Sequence, residues 1–280
     1  MNRLSNEKRA QVIRSLVEGN SIRSTARMTG VSKDAILKLI PDMGTACAAF
    51  HNAAVRGVSA RRVQCDEIWS FCYAKEKNVP EGKQGAGSIW TWTAIDADSK
   101  LIISYLCGGR DASWACQFME DLASRVTTRI QITTDGHRAY AEAVEGAFGM
   151  NVDYAMLIKL YGSPADNPDS RYSPAQCIGI RTGILSGNPD RQHISTSYVE
   201  RQNLNLRMGL RRFTRLTNAF SKKFENHCHM VAIYHAYYNF CRVHQTLRVT
   251  PAMEAGLTNH VWSVMELVEL LEPQQNLTAA

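Results

Sequence analysis

The 280-residue sequence predicts an α/β fold, a mixed β-sheet flanked by helices, with a small all-α module at its N-terminus. Three observations lead to this prediction. Apolar residues recur at helical spacing through the first 41 positions, alternating strand patterns begin at residue 63, and helices and short apolar strands follow one another from residue 111. The 45% apolar content is enough for one sizeable core and a small appended module.

Composition excludes several classes of protein. The sequence has no run of about 18 uncharged apolar residues and no apolar stretch near its N-terminus, so we expect a soluble, cytoplasmic protein with no membrane partner. Its eight cysteines are scattered and form no CxxC pair, which is typical of free thiols in a reducing compartment.

The charges are distributed unevenly along the chain. Residues 1–62 carry 11 basic and 4 acidic side chains, residues 200–250 carry 9 basic and 2 acidic ones, and the stretch between them is acidic. Such clustering is expected when one part of a protein grips a polyanion and another part holds cations. Solvated charged faces would explain either basic block taken alone.

The first basic block predicts three short helices, over residues 5–18, 21–28 and 32–41, the last of which we expect to end at Pro41. The second and third helices are joined by a glycine-containing turn and the third opens with Ser32, which is the sequence form of a helix-turn-helix. We therefore assign residues 1–45 to a DNA-binding module and residues 46–61 to a partly helical connector.

In this module the third helix is the one expected to enter the major groove of DNA. Ser32 and Lys33 lie on its first turn, and Lys38 follows near the DNA backbone. A helical trio can also be a plain structural module, and the positive charge of the block favours DNA.

Residues 62–250 predict the main domain. Strands are expected over residues 63–73, 89–96, 101–106 and 130–134, with helices over 111–126 and 137–148 and a further strand after them. Three antiparallel strands followed by helix, strand, helix and strand are the order of a ribonuclease H-like sheet.

The second half of this domain is less regular. Residues 162–195 contain four prolines and four glycines and predict an irregular insertion. Helices are expected again over residues 196–213 and 223–243, and residues 251–280 form a predicted C-terminal helical tail.

Three carboxylates are candidates for a site that holds two divalent ions about 3.5 to 4 Å apart, as phosphodiester transfer requires. Asp66 lies in the middle of an apolar strand, which is a costly place for an unpaired charge. Asp135 lies where a strand ends, so it meets Asp66 if the first and fourth strands are neighbours. Glu200, on a helix after the insertion, could complete the set.

Each carboxylate also has a simpler interpretation. An Asp before a Gly is most often a turn former, and a helical Glu is usually solvated. Glu67 and Asp96 are rival candidates, and strand alternation should point Asp66 and Glu67 to opposite faces of the sheet.

At these residues the chain resembles a known family, the DDE transposases of bacterial insertion sequences. The motifs that carry the resemblance are Cys65-Asp66-Glu67-Ile68-Trp69, Thr133-Thr134-Asp135-Gly136-His137, Tyr198-Val199-Glu200-Arg201-Gln202-Asn203, the stretch 211–223, Tyr238-Asn239-Phe240-Cys241-Arg242-Val243-His244 and Thr250-Pro251. Together they extend over roughly residues 60–255. The resemblance implies a retroviral-integrase-like fold and Mg²⁺ or Mn²⁺, two ions, bound by Asp66, Asp135 and Glu200.

The resemblance also implies roles for basic residues. This family places a basic residue seven positions after its Glu, and here that residue is Arg207, on the same helix face as Glu200. His244 follows the Arg-x-His pattern of the family and becomes a possible DNA contact. A cluster of further cations is expected to track DNA phosphates: Arg211, Arg212, Arg215, Lys222 and Lys223.

The function implied is DNA transposition. The substrates would be the terminal inverted repeats of an insertion sequence and a target DNA, in the bacterial cytoplasm at the nucleoid, and a homodimer or larger synaptic assembly is expected because two ends must be joined. Two alternatives stay open: a nuclease or resolvase of the same fold that cuts without joining, and a non-catalytic DNA-binding regulator.

Overall fold

The computed structural model of the protein describes residues 4–162, 177–214 and 218–272. Its N-terminal part consists of α1 (Asn6–Val17), α2 (Ile22–Thr29) and α3 (Lys33–Ala54). Ser5, Ser21 and Ser32 cap these helices, since each hydroxyl accepts a hydrogen bond from a backbone amide in the first turn. Gly30 ends α2 in the left-handed region at φ 70°. The three predicted helix starts are therefore confirmed.

The predicted end of the third helix was wrong. Pro41 lies inside α3, and the helix continues to Ala54 through the residues expected to form a connector. A proline costs a helix one backbone hydrogen bond. Burial offsets this cost, because Met43, Cys47 and His51 beyond the proline are all almost completely buried, the first two of them in the same apolar cluster as α7.

The sheet has six strands in the order β3-β2-β1-β4-β5-β6. The strands are β1 (Arg62–Cys72), β2 (Gly87–Asp96), β3 (Ile102–Gly108), β4 (Ile130–Thr134), β5 (Val152–Tyr161) and β6 (Cys177–Ser186). β1 pairs antiparallel with β2 and parallel with β4, which in turn pairs parallel with β5. This arrangement confirms the predicted mixed sheet of ribonuclease H-like order, with the first and fourth strands as neighbours.

One strand was missed. Residues 177–186, assigned to an irregular insertion, form β6, which pairs antiparallel with β5. Gly179 and Gly183 interrupt the apolar alternation of this segment, and most of its side chains are exposed, so no buried face marks the strand in the sequence. The strand is instead held in place by its backbone hydrogen bonds to β5. Residues 163–176 of the predicted insertion lie outside the described residues.

Helices cover both faces of the sheet. They are α4 (Ala112–Arg125), α5 (Ala139–Phe148), α6 (Ser197–Gly209), α7 (Phe224–Ala236), α8 (Pro251–Glu254) and α9 (Val264–Glu269). The two long C-terminal helices end earlier than predicted. Gly209 ends α6 against Tyr234, whose ring lies 2.4 Å from where a Cβ would be, and a π-helical turn, Tyr237–Cys241, replaces the last turns expected for α7.

Two apolar clusters form the core. One lies between the sheet and α4 and α5, and contains Val63 and Cys65 of β1. The other joins α1, α3, α7 and α9 to the opposite face of the sheet through Ile68 and Cys72. Successive residues of β1 thus alternate between the two clusters, as a strand buried on both faces requires. None of the helices in the described ranges is long and apolar enough to cross a membrane.

Candidate metal centre

The parallel pair β1 and β4 brings Asp66 and Asp135 together. The pairing of these strands ends at Cys65 opposite Thr134, so Asp66 is the next residue of β1 and Asp135 is the first residue after β4. The sheet therefore places these two carboxylates next to each other, as the sequence predicts.

Three carboxylates form the acidic cluster of the described residues: Asp66, Glu67 and Asp135 each offer an oxygen, and these oxygens lie within 4.8 Å of one another. Glu67 was expected on the opposite face from Asp66. Strand alternation fixes the direction of the Cβ atom, but not where a longer side chain ends. The Asp66 carboxylate also turns along the strand, because its Oδ1 accepts the backbone N–H of Glu67 at 2.9 Å.

The cluster concentrates negative charge in a place that water solvates poorly. Burial, followed by the charges of Glu67 and Asp135, raises the pKa of Asp66 to about 7. Burial and the charge of Asp135 also raise the pKa of Glu67, against the opposing effect of Arg110. A bound cation would relieve this repulsion. Grouped carboxylate oxygens are the ligands that Mg²⁺ and Mn²⁺ prefer, so these residues fit a divalent ion.

Glu67 is held from two sides. Arg110 donates to its Oε1 at 2.7 Å, and the Tyr140 hydroxyl donates to its Oε2 at 3.0 Å. The side chain of Glu67 is only 1% exposed, whereas that of Arg110 is 43% exposed. One donor to Glu67 is thus a charged guanidinium, whereas the groups that donate to Asp66 and Asp135 are uncharged amides.

Helix α6 lies against the cluster because β1 caps it. The side-chain oxygen of Gln64 accepts the backbone N–H groups of Tyr198 and Val199, at 2.8 and 3.2 Å. One turn further along, the amide of Asn203 donates to Asp66 Oδ2 at 2.8 Å. Neither Gln64 nor Asn203 was predicted from the sequence as a site residue, although Asn203 belongs to the motif that contains Glu200.

Glu200 is on the same helix, but its carboxylate is bound elsewhere. Lys159 of β5 donates to both of its oxygens, at 2.6 and 2.5 Å, and the Thr196 hydroxyl donates to Oε1 at 2.7 Å. Glu200 is near enough for its charge to raise the pKa of Asp66, as the weakest of the named causes. The structure thus brings together two of the three predicted carboxylates and pairs the third with a lysine.

The simpler interpretations are also visible. Asp135 Oδ1 accepts the backbone N–H of His137 at 2.9 Å, so this aspartate is a turn former as well as a member of the cluster. The rival Asp96 is paired with Val63 at the other end of β1, and its carboxylate accepts the backbone N–H groups of Asp98 and Ser99. Asp96 therefore has the role of a turn former only.

The predicted DNA contacts lie in several places. Ser32, Lys33 and Lys38 are exposed on α3, and Arg207 is half-buried on α6, two turns after Glu200. Arg211, Lys222 and Lys223 are exposed, and Arg215 lies outside the described residues.

Two of the predicted DNA contacts are less accessible. Burial lowers the pKa of Arg212 to about 10, and its guanidinium donates to Ser221 at 2.9 Å. His244 is half-buried, and its Nδ1 lies 3.0 Å from the Thr246 hydroxyl. Both side chains would have to turn outward to reach a phosphate.

Solved transposase structures align with this chain at low sequence identity. A piggyBac transposase in a synaptic complex with hairpin DNA aligns over 96% of this chain and 71% of its own, at 10% identity and a TM-score of 0.46. A Mos1 strand transfer complex aligns over 84% of this chain and 76% of its own, at 13% identity and a TM-score of 0.25. A Mos1 transposase paired-end complex with the left transposon end aligns over 55% of this chain and 60% of its own, at 14% identity and a TM-score of 0.23. No protein-family model and no curated protein match the sequence. We therefore base the function on the carboxylate cluster.

Proposed function

We propose that the protein is a DNA transposase that cleaves and joins phosphodiester bonds with Mg²⁺ or Mn²⁺ held by Asp66, Asp135 and Glu200. The observation that carries this proposal is the carboxylate cluster in the middle of β1 and just after β4, on a sheet of ribonuclease H-like order. When bound, two divalent ions supply activation of the attacking oxygen and charge stabilisation on the leaving oxygen.

The protein's own residues prepare this site. Asn203 and the backbone N–H of Glu67 orient the two oxygens of Asp66, and the turn at His137 orients Asp135. Such orientation before the substrate arrives reduces the reorganisation that the reaction has to drive. Glu200, which is paired with Lys159, would hold the ion together with the two aspartates once that ion pair opened.

Arg207 is proposed to neutralise phosphate charge. It follows Glu200 by two helical turns on α6, so both side chains leave the helix on the same face. A guanidinium at this position would face the phosphodiester that the carboxylates address.

The N-terminal helices are proposed to bind the element's terminal inverted repeats. Residues 1–45 would place Ser32 and Lys33 in the major groove with Lys38 at the backbone. Other cations would contact phosphates of the repeats and of the target DNA, and His244 would lie at the edge of this surface: Arg211, Arg212, Arg215, Lys222 and Lys223. Because two element ends must be joined, the working form would be a homodimer or a larger synaptic assembly, at the bacterial nucleoid.

The test uses labelled linear DNA that carries the native element's end, with Mg²⁺, Mn²⁺ or EDTA. We expect metal-dependent cleavage and joined products from the wild type, and neither from Asp66→Asn, Asp135→Asn or Glu200→Gln, each of which should still bind the DNA. Cleavage without joined products would replace the proposal by a nuclease that only cuts. Sequence-specific binding with no cleavage in either metal would replace it by a DNA-binding regulator.

A further inference from the structure

Beyond the carboxylate cluster, four aromatic residues are neighbours on one side of the sheet, and we call them the aromatic row: Trp69, Phe71, Trp90 and Phe220. We propose that the aromatic row stacks the unpaired bases of a DNA strand that leads away from the cluster. The inference rests on the proposed function, since it assigns a site to the single-stranded part of the same substrate.

The aromatic row lies on the part of β1 that extends past α4 and α5. The odd-numbered residues of β1 face one side of the sheet, where Val63 and Cys65 are buried under these two helices. Glu67 then joins the carboxylate cluster. After it, Trp69 and Phe71 are only half-buried, and Tyr73 is 42% exposed. An apolar alternation that leaves large rings uncovered next to a reaction site needs a functional explanation.

The rings lie close together with similar orientations. The Trp69 and Phe71 centroids are 5.7 Å apart, those of Phe71 and Phe220 are 4.7 Å apart, and both pairs are inclined by 31°. Trp69 is also directly opposite Trp90 in the β1–β2 pairing. Phe220 is held beside Phe71 because the next residue, Ser221, accepts the backbone N–H of Tyr73 at 2.8 Å.

Exposed cations accompany the rings. The Arg110 guanidinium lies 4.3 Å from the centroid of Trp90 and also pairs with Glu67 of the cluster. At the other end of the row, Lys222 Nζ lies 3.7 Å from the centroid of Phe220. Rings with a cation at each end match the bases and phosphates of a nucleic acid strand, whereas an apolar protein partner would leave these charges without a match.

An unpaired strand fits this surface better than a duplex. In a duplex each base face is covered by the neighbouring base pair, so a protein ring finds no free face on which to stack. Cleavage next to the row would leave a strand end whose bases can leave the helix at modest cost. Since every base has an aromatic face, the row would accept any sequence.

The test is the binding of fluorescein-labelled oligothymidylate by the full chain in EDTA, followed by anisotropy, with a blunt duplex as the second probe. We expect Phe71→Leu and Trp69→Leu each to weaken oligothymidylate binding at least about fivefold and to leave duplex binding unchanged. Phe71→Tyr keeps the ring and should bind as the wild type does. Met150→Ala removes an exposed apolar side chain, 88% exposed, just before β5 and serves as the matched control.

Lys222→Gln keeps the proposal testable if a leucine variant fails to fold. It should weaken oligothymidylate binding and reduce its dependence on salt, because one phosphate contact is lost. Unchanged oligothymidylate binding in the two leucine variants, or in Lys222→Gln where those do not fold, would overturn the proposal. The proposal would also be overturned if Phe71→Leu changed the oligomeric state measured by sedimentation but not the oligothymidylate binding. That result would assign the aromatic row to contacts between copies of the chain. Binding in EDTA needs no cleavage, so this result is separate from the test of the proposed function.

Discussion

The three carboxylates of the cluster differ in what surrounds each of them. Asp66 is oriented by the Asn203 amide and by a backbone N–H group, and Asp135 is oriented by the N–H of His137. Glu67 instead has a guanidinium on one oxygen and a phenol on the other. The charge of Glu67 is therefore compensated within the protein, whereas the charges of the two aspartates remain for a metal ion to compensate.

This difference predicts unequal effects of two isosteric substitutions. Asp66→Asn should reduce the rate of metal-dependent cleavage at least about a hundredfold, since a lost charge at a metal site costs several kcal/mol of transition-state stabilisation. Glu67→Gln should cost less, because it leaves the metal ligands in place and disturbs mainly Arg110 and Tyr140. Single-turnover cleavage of the labelled element end measures both rates. Equal losses would make Glu67 a direct metal ligand.

Lys159 provides a test of whether Glu200 takes part in metal binding. If it does, the lysine competes with the metal ion for the same carboxylate, and Lys159→Met should tighten the binding of Mn²⁺. The ion pair is partly exposed, with side-chain exposures of 30% and 39%, so we expect a modest effect, about twofold to fivefold in Kd. Titration of the protein with Mn²⁺ measures it.

A matched control for this experiment is Arg129→Met. The Arg129–Asp153 pair has a similar exposure, 44% and 22%, but lies at the start of β5 and away from the cluster. It should leave the Mn²⁺ affinity unchanged. An unchanged affinity in Lys159→Met as well would remove Glu200 from the proposed ligand set.

At the scale of single residues, the sequence predicted positions better than partners. The sequence predicted that Asp66 and Asp135 are neighbours because short apolar segments indicate the strands well, and the pairing of those strands brings the two residues together. The pairing of Glu200 with Lys159 joins residues 41 positions apart through the ends of two flexible side chains. No local pattern encodes such a contact, and the same holds for Arg110 on Glu67.

At the scale of elements, the contact between α3 and α7 depends on one glycine. A Cβ on Gly44 would lie 2.3 Å from the Cβ of His229 and 2.6 Å from its Cα. The two helix backbones can approach this closely only because position 44 has no side chain. α3 also carries predicted DNA-contacting residues, so the position of these residues relative to the sheet depends on this contact.

Gly44→Ala should therefore destabilise the fold by about 1 to 3 kcal/mol or more, because the helices must separate to accommodate the methyl group. Urea unfolding followed by circular dichroism measures the free energy of unfolding. Gly146→Ala in α5 is the matched control, since a Cβ there meets nothing within 4 Å. It should stabilise the protein by about 0.5 to 1 kcal/mol through its better helix propensity. Equal effects of the two substitutions would contradict the close approach at Gly44.

The elements that the sequence predicted wrongly share a physical cause. A proline normally ends a helix, and β6 lacks a buried face, so local rules argue against both the long α3 and β6. Each element is stabilised by contacts with residues distant in sequence, α3 by α7 and β6 by the backbone of β5. The capped starts of α1, α2 and α3 were predictable because a cap is a local interaction.

At the scale of the whole molecule, three buried histidines lie where α3 and α7 meet the sheet. His51 reaches the backbone carbonyl of Ile103 at 3.1 Å, and His227 lies between the hydroxyls of Ser70 and Ser221. The ring of His235 packs edge-on against Tyr105 at 4.6 Å, and neither of its nitrogens has a hydrogen-bond partner within the described part of the chain. All three side chains lie in the layer that joins the N-terminal helices to the sheet.

These histidines should make the fold sensitive to acid. Burial lowers the pKa of His51 to about 4 and the pKa values of His227 and His235 to about 3, whereas an exposed histidine in the unfolded chain titrates near its ordinary value, about 6.5. Above about pH 6.5 neither the folded nor the unfolded chain binds these protons, so the histidines do not reduce the free energy of unfolding. As the pH falls below about 6.5 only the unfolded chain gains protons, so each histidine should cost about 2 kcal/mol of unfolding free energy between pH 8 and pH 5.

His235→Phe keeps a ring against Tyr105 and removes one titrating group. Urea unfolding of both proteins at the two pH values should show a loss on acidification that is about 2 kcal/mol smaller in the variant. An equal loss in the two proteins would mean that His235 takes up its proton in the folded state as readily as in the unfolded chain, and that the layer between α3, α7 and the sheet is open to water.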